Sequence, residues 1–263
     1  MPLARPKRLL TEERRRAVLE VLEKQGRVTV EELTRQFGVS AVTARGDLDV
    51  LSTTGALVRS HGGAVRPLNP VQDYPLVIKK SIYHAEKIRI ARAATQLIQN
   101  HQTVILDSGT TCAEIAANLR RTKPLALTVI THALNIAVEL ADASHISLIM
   151  IGGIMRQISS SFVGPQAEQM VRDLHADHFF LAVDGLDLEI GLTTPDILEA
   201  QLNTLMMKAS REVTVVADAS KFGRRSLSVI GELPMIKRVI TDDRVSPENA
   251  EGLRHLGVEV VLV

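Results

Sequence analysis

Thr103-Val104-Ile105-Leu106-Asp107-Ser108-Gly109-Thr110-Thr111 carries a short apolar, β-branched run into small hydroxylic residues and a glycine, and an amphipathic pattern over 112–119 follows at once. A run of this kind bounded by turn residues predicts a buried strand (103–107) feeding directly into a helix. The alternation recurs on both sides. A helix predicted over 87–99, with Ile88, Ala91, Thr95 and Ile98 on one face, leads into it, and further strands are predicted at 127–131, 146–151, 179–184, 213–218, 238–241 and 258–263. Near-continuous Val/Ile/Leu runs separated by helices or loops predict an α/β fold with a mainly parallel sheet covered on both faces.

In such sheets ligands bind at the carboxyl ends of the strands. The residues there are Asp107, Ser108, Gly109, Thr110 and Thr111, then Thr131 and His132, Gly152 and Gly153 with Arg156, Asp184 with Gly185, and Lys221. Small hydroxyl residues and a glycine at a helix N-terminus offer N–H groups to an anion. No lysine follows as in a Walker motif, so ATP hydrolysis is not indicated. Taken singly, each reads as an ordinary turn or cap. Their convergence on one edge predicts a site the size of a sugar phosphate, with no cofactor and no metal.

The chain's 263 residues allow one large domain or two ordinary ones, and 45% hydrophobic with 23% charged residues exclude a disordered chain. The absence of Trp and an aromatic content of 3% disfavour modules that stack bases on aromatic platforms. One cysteine makes neither an internal disulfide nor a cysteine zinc site, which points to a reducing, cytoplasmic setting. The longest apolar stretch, 147–155, is too short to span a membrane, and the first residues lack the apolar segment of a signal peptide.

Charge divides the chain unevenly. Residues 1–66 hold 12 Lys/Arg against 8 Asp/Glu, net +4, and the remainder is net −3. A basic N-terminal module on an acidic body suggests that the module meets a polyanion. Pro67-Leu68-Asn69-Pro70 and Pro75 interrupt helical backbone, which predicts a boundary with a linker at 67–77 between domains at 1–66 and 78–263.

Within 1–66, Thr11 is expected to cap a helix with Val18, Val21 and Leu22 inward that stops at Gly26. Thr29 and Glu32 form the T-x-x-E capping box of a short second helix, Phe37-Gly38-Val39 makes a turn, and Ser40 caps a third helix over 41–51 with Val42, Leu48 and Leu51 inward. Two short strands around Gly62-Gly63 would form a wing. This predicts a helix-turn-helix at about 28–47, although a small bundle or dimerisation module has the same outline. Arg14, Arg15, Arg16, Arg27, Arg35, Arg45 and Arg59 tip the reading toward double-stranded DNA.

Thr29-Val30-Glu31-Glu32-Leu33, Phe37-Gly38-Val39-Ser40, Val42-Thr43-Ala44-Arg45-Gly46-Asp47-Leu48 and Gly62-Gly63-Ala64 resemble the N-terminal winged helix-turn-helix of DeoR-type transcriptional regulators. The rest resembles that family's sensor domain through 105–111, Gly152-Gly153, Gly164-Pro165-Gln166-Ala167 and Asp218-Ala219-Ser220-Lys221-Phe222. Through Asp184-Gly185-Leu186-Asp187 and Glu199-Ala200-Gln201-Leu202-Asn203 it is most similar to repressors of N-acetylgalactosamine and galactosamine catabolism. The resemblance implies an operon repressor, not an enzyme, whose sensor domain has a fold similar to ribose-5-phosphate isomerase and coenzyme A transferases. It implies release from DNA on binding a phosphorylated sugar, and assembly as a dimer or tetramer. The implied DNA-binding residues are Thr29, Ser40, Ala41, Thr43, Arg45, Arg59 and His61. The implied effector residues are Asp107, Ser108, Gly109, Thr110, Thr111, Thr131, Gly152, Gly153, Arg156, Asp184 and Lys221. Relatives usually carry a bulky apolar residue and a polar or basic one where this chain has Ala44 and Gly46, and Asn where it has His132.

Other readings exist. A sugar-phosphate isomerase with an accessory domain could cast Asp107, Asp184 and Lys221 as acid and base groups, although fold kinship does not transfer chemistry. Cys112 at a helix start could be a redox sensor or simply a packed small residue. His175, Asp177 and His178 read as a solvated cluster lacking a full metal ligand set.

Overall fold

The computed structural model describes residues 10–53, 56–66, 73, 75–121 and 126–263. The chain divides into two compact units, Met1–Asn69 with Lys80–His84, and Pro70–Lys79 with Ala85–Val263. Of the expected linker, 67–72 and 74 lie outside the described residues.

In the first unit, helix α1 (Thr11–Gln25) begins one residue earlier than expected, with Leu10 rather than Thr11 at the cap. The Glu13 carboxylate accepts the Leu10 N–H at 2.9 Å, so the bond expected from a hydroxyl comes from an acid three residues on. A strand that patterning did not reveal, β1 (Arg27–Thr29), precedes α2 (Val30–Phe37). The α2 capping box is formed as read, Glu32 N–H to Thr29 Oγ1 at 3.1 Å and Thr29 N–H to the Glu32 carboxylate at 2.8 Å. Helix α3 (Ala41–Thr53) is capped by Ser40, whose Oγ accepts the Thr43 N–H at 3.1 Å. Strands β2 (Val58–Ser60) and β3 (Gly63–Val65) complete an antiparallel sheet in the order β1-β3-β2. Gly63 is obligatory there, because a Cβ would overlap the Val28 carbonyl oxygen of the facing strand.

Val18, Leu22, Leu33, Ala44, Leu48 and Leu57 form this unit's core. Val42 does not join it and is 77% exposed, while Ala44, Asp47, Leu48 and Leu51 face inward. The three- and four-residue spacing that buries Ala44, Asp47, Leu48 and Leu51 turns Val42 outward. Asp47 is only 4% exposed and binds Arg14 Nε at 2.5 Å and Arg15 Nε at 3.1 Å. Two of the arginines expected to face DNA are thus spent inside the unit.

Removing one member of a buried ion pair leaves the other uncompensated. Asp47→Ala should therefore cost about 3–5 kcal/mol in chemical denaturation of the full chain; a loss below about 1 kcal/mol would mean that α1 is held on α3 by packing alone. Gly46, exposed on the same helix with no atom within 4 Å of the position a Cβ would take, should by contrast gain about 0.5–1 kcal/mol on replacement by Ala.

Helices α4 (Leu76–Ser81) and α5 (His84–Gln96), which belong to the second unit except for residues 80, 81 and 84, precede β4 (Thr103–Leu106). Helix α5 starts and ends three residues before the expected helix, and its inward positions are Lys87, Ile90, Ala91 and Ala94. There follow α6 (Thr110–Arg121), β5 (Leu127–Thr131), α7 (Leu134–Leu140), β6 (Ile146–Met150), β7 (Ile154–Arg156), β8 (Ser161–Val163) and α8 (Pro165–Arg172). The chain continues through β9 (Ala176–Leu181), β10 (Gly185–Asp187), β11 (Gly191–Thr194), α9 (Ile197–Lys208), β12 (Ser210–Val216), β13 (Ser228–Gly231), β14 (Arg238–Thr241), α10 (Pro247–His255) and β15 (Glu259–Leu262).

Seven strands form one parallel sheet in the order β15-β14-β12-β9-β4-β5-β6, and all seven were legible as apolar runs. Alternate residues supply two cores. Val104, Leu106 and Phe180 pack with Ile90, Ile115 and Ile136 of α5, α6 and α7, and Ile105, Phe179 and Leu181 with Val171, Leu202 and Leu253 of α8, α9 and α10. From β4 the chain first runs outward through β5 and β6, then returns to place β9 on the other side of β4. Between the carboxyl ends of β4 and β9 the strand order reverses, which is where a doubly wound sheet opens a crevice. The β7–β8 hairpin and the antiparallel sheet β10-β11-β13 are additions to this frame.

Candidate functional site

Asp107 follows β4 at the reversal point and is 1% exposed. Its carboxylate accepts the N–H groups of Ser108 at 2.7 Å and Ala182 at 3.0 Å and the amide of Asn203 at 3.3 Å. His132, which follows β5, brings Nε2 to the same carboxylate at 2.9 Å and Nδ1 to the Phe162 carbonyl oxygen at 2.9 Å. Both ring nitrogens face oxygen acceptors, which suits an imidazolium with two N–H donors. Burial alone would disfavour that cation, but the Asp107 bond outweighs it and holds His132 above its ordinary value.

A second layer is built from charge. Arg156 at the end of β7 contacts Asp73, meets Asp196 at 3.0 Å and Glu199 at 3.2 Å, and donates to Ser159 Oγ at 2.9 Å. Asp184, just beyond β9, receives Lys79 Nζ at 3.0 Å and Lys221 Nζ at 3.0 Å, and Lys79 also reaches Asp73 at 3.0 Å. Lys87 on α5 donates to the Lys79 carbonyl oxygen at 2.6 Å. Asp73 and Lys79 thus tie the Arg156 cluster to the Asp184 cluster.

The field of these groups is visible in their ionisation. Burial opposes the Asp184 carboxylate, but Lys221 and Lys79 hold it well below the usual carboxylate range. Burial likewise opposes the Lys79 ammonium, yet Asp184 and Asp73 keep it above its ordinary value. Lys87 is pushed by burial down to about 8 against the pull of Asp218, with Lys221 and Lys79 adding to the fall. Glu199, whose carboxylate accepts from Ser108 Oγ at 3.0 Å, is raised by burial and by Asp107 to about 7, with Arg156 opposing. The Cys112 thiol is fully buried and raised by burial and then by Asp107, the reverse of what a redox-sensing thiolate needs.

The structure therefore gathers Asp107, Ser108, Arg156, Asp184 and Lys221 into one bonded network. Thr131 is buried and accepts the Ala133 N–H at 3.1 Å. Gly109, with φ of +101°, turns the chain into α6, where Thr110 and Thr111 form the first turn. Gly152 and Gly153 make the turn into β7; φ at Gly153 is +150°, and a Cβ there would stand 2.6 Å from the Val163 carbonyl oxygen. Patterning missed Asp73 and Lys79, which lie in or beside the segment set aside as a linker. It also missed the roles of Lys87, Asp196, Glu199 and Asn203. Lys87 on an otherwise apolar helix face, and Glu199 and Asn203 one turn apart among leucines, were the available signals.

In the first unit, Thr29, Ser40 and Thr43 form the caps of α2 and α3, Ala41 opens α3, and Arg45 is exposed on it. Arg59 binds Asp49 at 2.9 Å and the Gly63 carbonyl oxygen at 2.8 Å, and exposed His61 packs edge-on to His84 at 6.1 Å. Arg16 and Arg27 are exposed, whereas Arg35 pairs with Glu31 at 3.1 Å.

The family of the DeoR-like helix-turn-helix domain matches residues 14–68, and that of the DeoR C terminal sensor domain matches 82–243. The chain belongs to the DeoR family. It is 41% identical, over 96% of its length and 94% of the other's, to a protein of Escherichia coli O157:H7 named as an aga operon transcriptional repressor. To the glycerol-3-phosphate regulon repressor of Escherichia coli strain K12 it is 32% identical, over 88% of its length and 90% of the other's. Ribose 5-phosphate isomerase A of Methanocaldococcus jannaschii is similar in structure at 16% identity and a TM-score of 0.40, over 54% of this chain and 56% of that one, too slight a likeness to carry an argument. Among the described residues no group of His, Cys, Asp or Glu is arranged to hold a metal ion, and no helix is long and apolar enough to cross a membrane.

Of the departures from the DeoR pattern, Ala44 is buried in the core and His132 is bonded into the network rather than left open. Glu199 yields a pH prediction. Its proton is held more tightly in the folded chain, so its contribution to stability is full below about pH 4.5 and is lost as pH rises through about 7. Thermal unfolding of the sensor unit in the full chain should lose up to about 3 kcal/mol between pH 5 and pH 8 from this group. Glu199→Gln should flatten the slope over pH 5–7; an unchanged slope in that variant would assign the titration to another group.

Proposed function

We propose that the chain is a cytoplasmic, sequence-specific repressor of a sugar or amino-sugar catabolic operon, relieved when a phosphorylated sugar binds its sensor unit. The division of labour is residues 1–66 for double-stranded DNA, with the helix-turn-helix at about 28–47, and 78–263 for the effector, with 67–77 between them. Assembly is as a dimer or tetramer. The 41% identical relative named as an aga operon repressor supports the operon class, and the 32% identical relative named for glycerol-3-phosphate supports a phosphorylated metabolite.

The observation that carries the effector reading is that Lys79, Lys221 and Arg156, three cations at the reversal point, are each paired with carboxylates of the same chain. A dianionic phosphate competes for them with Asp184, Asp73 and Glu199, and such exchange of partners is how a ligand acquires a preference between conformations. Asp107, Ser108, Gly109, Thr110, Thr111, Thr131, Gly152 and Gly153 shape the remainder of the pocket. On DNA, Thr43 and Arg45 of α3 face the duplex, Thr29, Ser40 and Ala41 place the helix ends, and Arg59 and His61 belong to the wing. An isomerase needs a free base beside its substrate. Asp107 already accepts from four groups and Asp184 from two lysines, which supports a sensor rather than an enzyme.

Operator titrations by fluorescence anisotropy, with and without a panel of hexose, pentose and amino-sugar phosphates, test this. One phosphate should weaken operator binding by about 5–150-fold, its unphosphorylated parent should not, and no product should form. Lys221→Ala should keep operator affinity and lose the response. Operator affinity indifferent to the whole panel would overturn the effector reading, and turnover lost on Asp107→Asn would establish the enzyme instead.

A further inference from the structure

The outward face of α3 presents Val42, Arg45, Gly46 and Asp49, which follow one another at three- and four-residue intervals and are all exposed, with Val50, at 40%, further along it. Asp49 is engaged by Arg59 at 2.9 Å, and Gly46 has no side chain. That leaves Val42 and Arg45. Among the described residues Arg45 has no carboxylate partner, and Val42, at 77%, is more exposed than any other large apolar side chain. Nothing in the unit's own packing calls for a β-branched apolar residue there. Valine is also a weaker helix former than alanine.

What the position does offer is an apolar knob on the first turn of α3, one turn before an uncompensated guanidinium, in a module of net charge +4. In helix-turn-helix docking the first turns of the second helix enter the major groove and reach base edges. The apolar feature that a base edge presents there is the thymine C5 methyl group. Bare Gly46, where a Cβ would meet no atom of the chain within 4 Å, leaves the face between Val42 and Asp49 open for close approach.

We infer that Val42 is a specificity residue of this protein, packing its methyl groups against a thymine methyl in the major groove of each operator half-site. The inference rests on the DNA-binding reading above. Its occupant is duplex DNA rather than a second copy of the chain, because an arginine without a partner shares the face and like charges would confront each other across a self-contact.

The test uses the full-length protein and duplexes recovered by binding selection from a random-sequence library. Each thymine of the recovered site is replaced in turn by deoxyuridine, which removes the methyl group and leaves the hydrogen-bonding edge intact. One replacement per half-site should weaken binding of the parent by about 3–10-fold. Val42→Ala should lose a similar factor, show no further loss on that deoxyuridine duplex, and relax selection at that base, while Val42→Ile keeps the preference for thymine. Equal affinity and unchanged selection by Val42→Ala overturn the inference, as does a deoxyuridine loss that persists in full in that variant. A change in oligomeric state with unaltered operator selection would assign Val42 to contact between copies and overturn it too. If the parent recovers no common sequence, the DNA-binding reading itself fails, an outcome distinct from the others.

Discussion

Charge that leaves water must be matched, and the sensor unit is organised around that requirement. Asp73, Asp184, Asp196 and Glu199 gather with Lys79, Arg156 and Lys221 at the carboxyl ends of a sheet whose two faces are covered by large apolar cores. An ion of either sign left alone there would carry a penalty of several kcal/mol, comparable to the stability of the whole unit. The network therefore holds together or rearranges together. On the proposed function, an anionic ligand would replace carboxylates rather than fill a waiting hole, and the displaced carboxylates would need protons, water or new partners. Glu199, raised to about 7, would be well placed to take a proton were Arg156 drawn away.

The same requirement sets what the DNA-binding unit can offer. The 12 Lys/Arg of residues 1–66 overstate the cations open to phosphates, because Asp47 draws Arg14 and Arg15 inward and Arg59 is held by Asp49. Among the described residues, those exposed outside these pairs include Arg16, Lys24, Arg27 and Arg45. Each phosphate that such a residue neutralises steepens the salt dependence, and affinity beyond that comes from base edges or from doubling the unit by assembly.

The parallel sheet was readable because its strands are buried on both faces, so that burial alone writes them as continuous apolar runs at 103–106, 127–131 and 238–241. Strands β1, β7, β8, β10, β11 and β13 have only three or four residues, several polar or glycine, and no periodicity can show in so short a span. Apolar identity alone puts Val42 inward, whereas the phase of α3 is set by Ala44, Leu48 and Leu51 together with a charged residue, Asp47. Half of the network was legible for a related reason. Asp107, Asp184 and Lys221 sit where strands end, a place that topology singles out, but Asp73 and Lys79 come from a stretch without strand character, and Glu199 from a helix interior. No local pattern connects residues 73 and 156, or 107 and 199; the sheet's reversal of order does.

The bonding at that reversal also bears on whether the site is suited to catalysis or, as proposed, to switching. Catalysis of proton transfer needs a base whose lone pair is free when substrate arrives, at a pKa near the working pH. In this chain Asp107 is saturated by two backbone N–H groups, an amide and an imidazole, and Asp184 is held far on the acidic side by two ammonium groups. Each bond that makes these carboxylates poor bases gives a ligand something to break. Freed partners then need a new arrangement in which to be satisfied, and a ligand shifts a conformational equilibrium only by the difference in its interaction with two such arrangements. A site with idle groups would bind tightly and change nothing. One in which every charge is already committed can accept a phosphate only by rearranging, and that coupling of binding to rearrangement is the property a sensor requires.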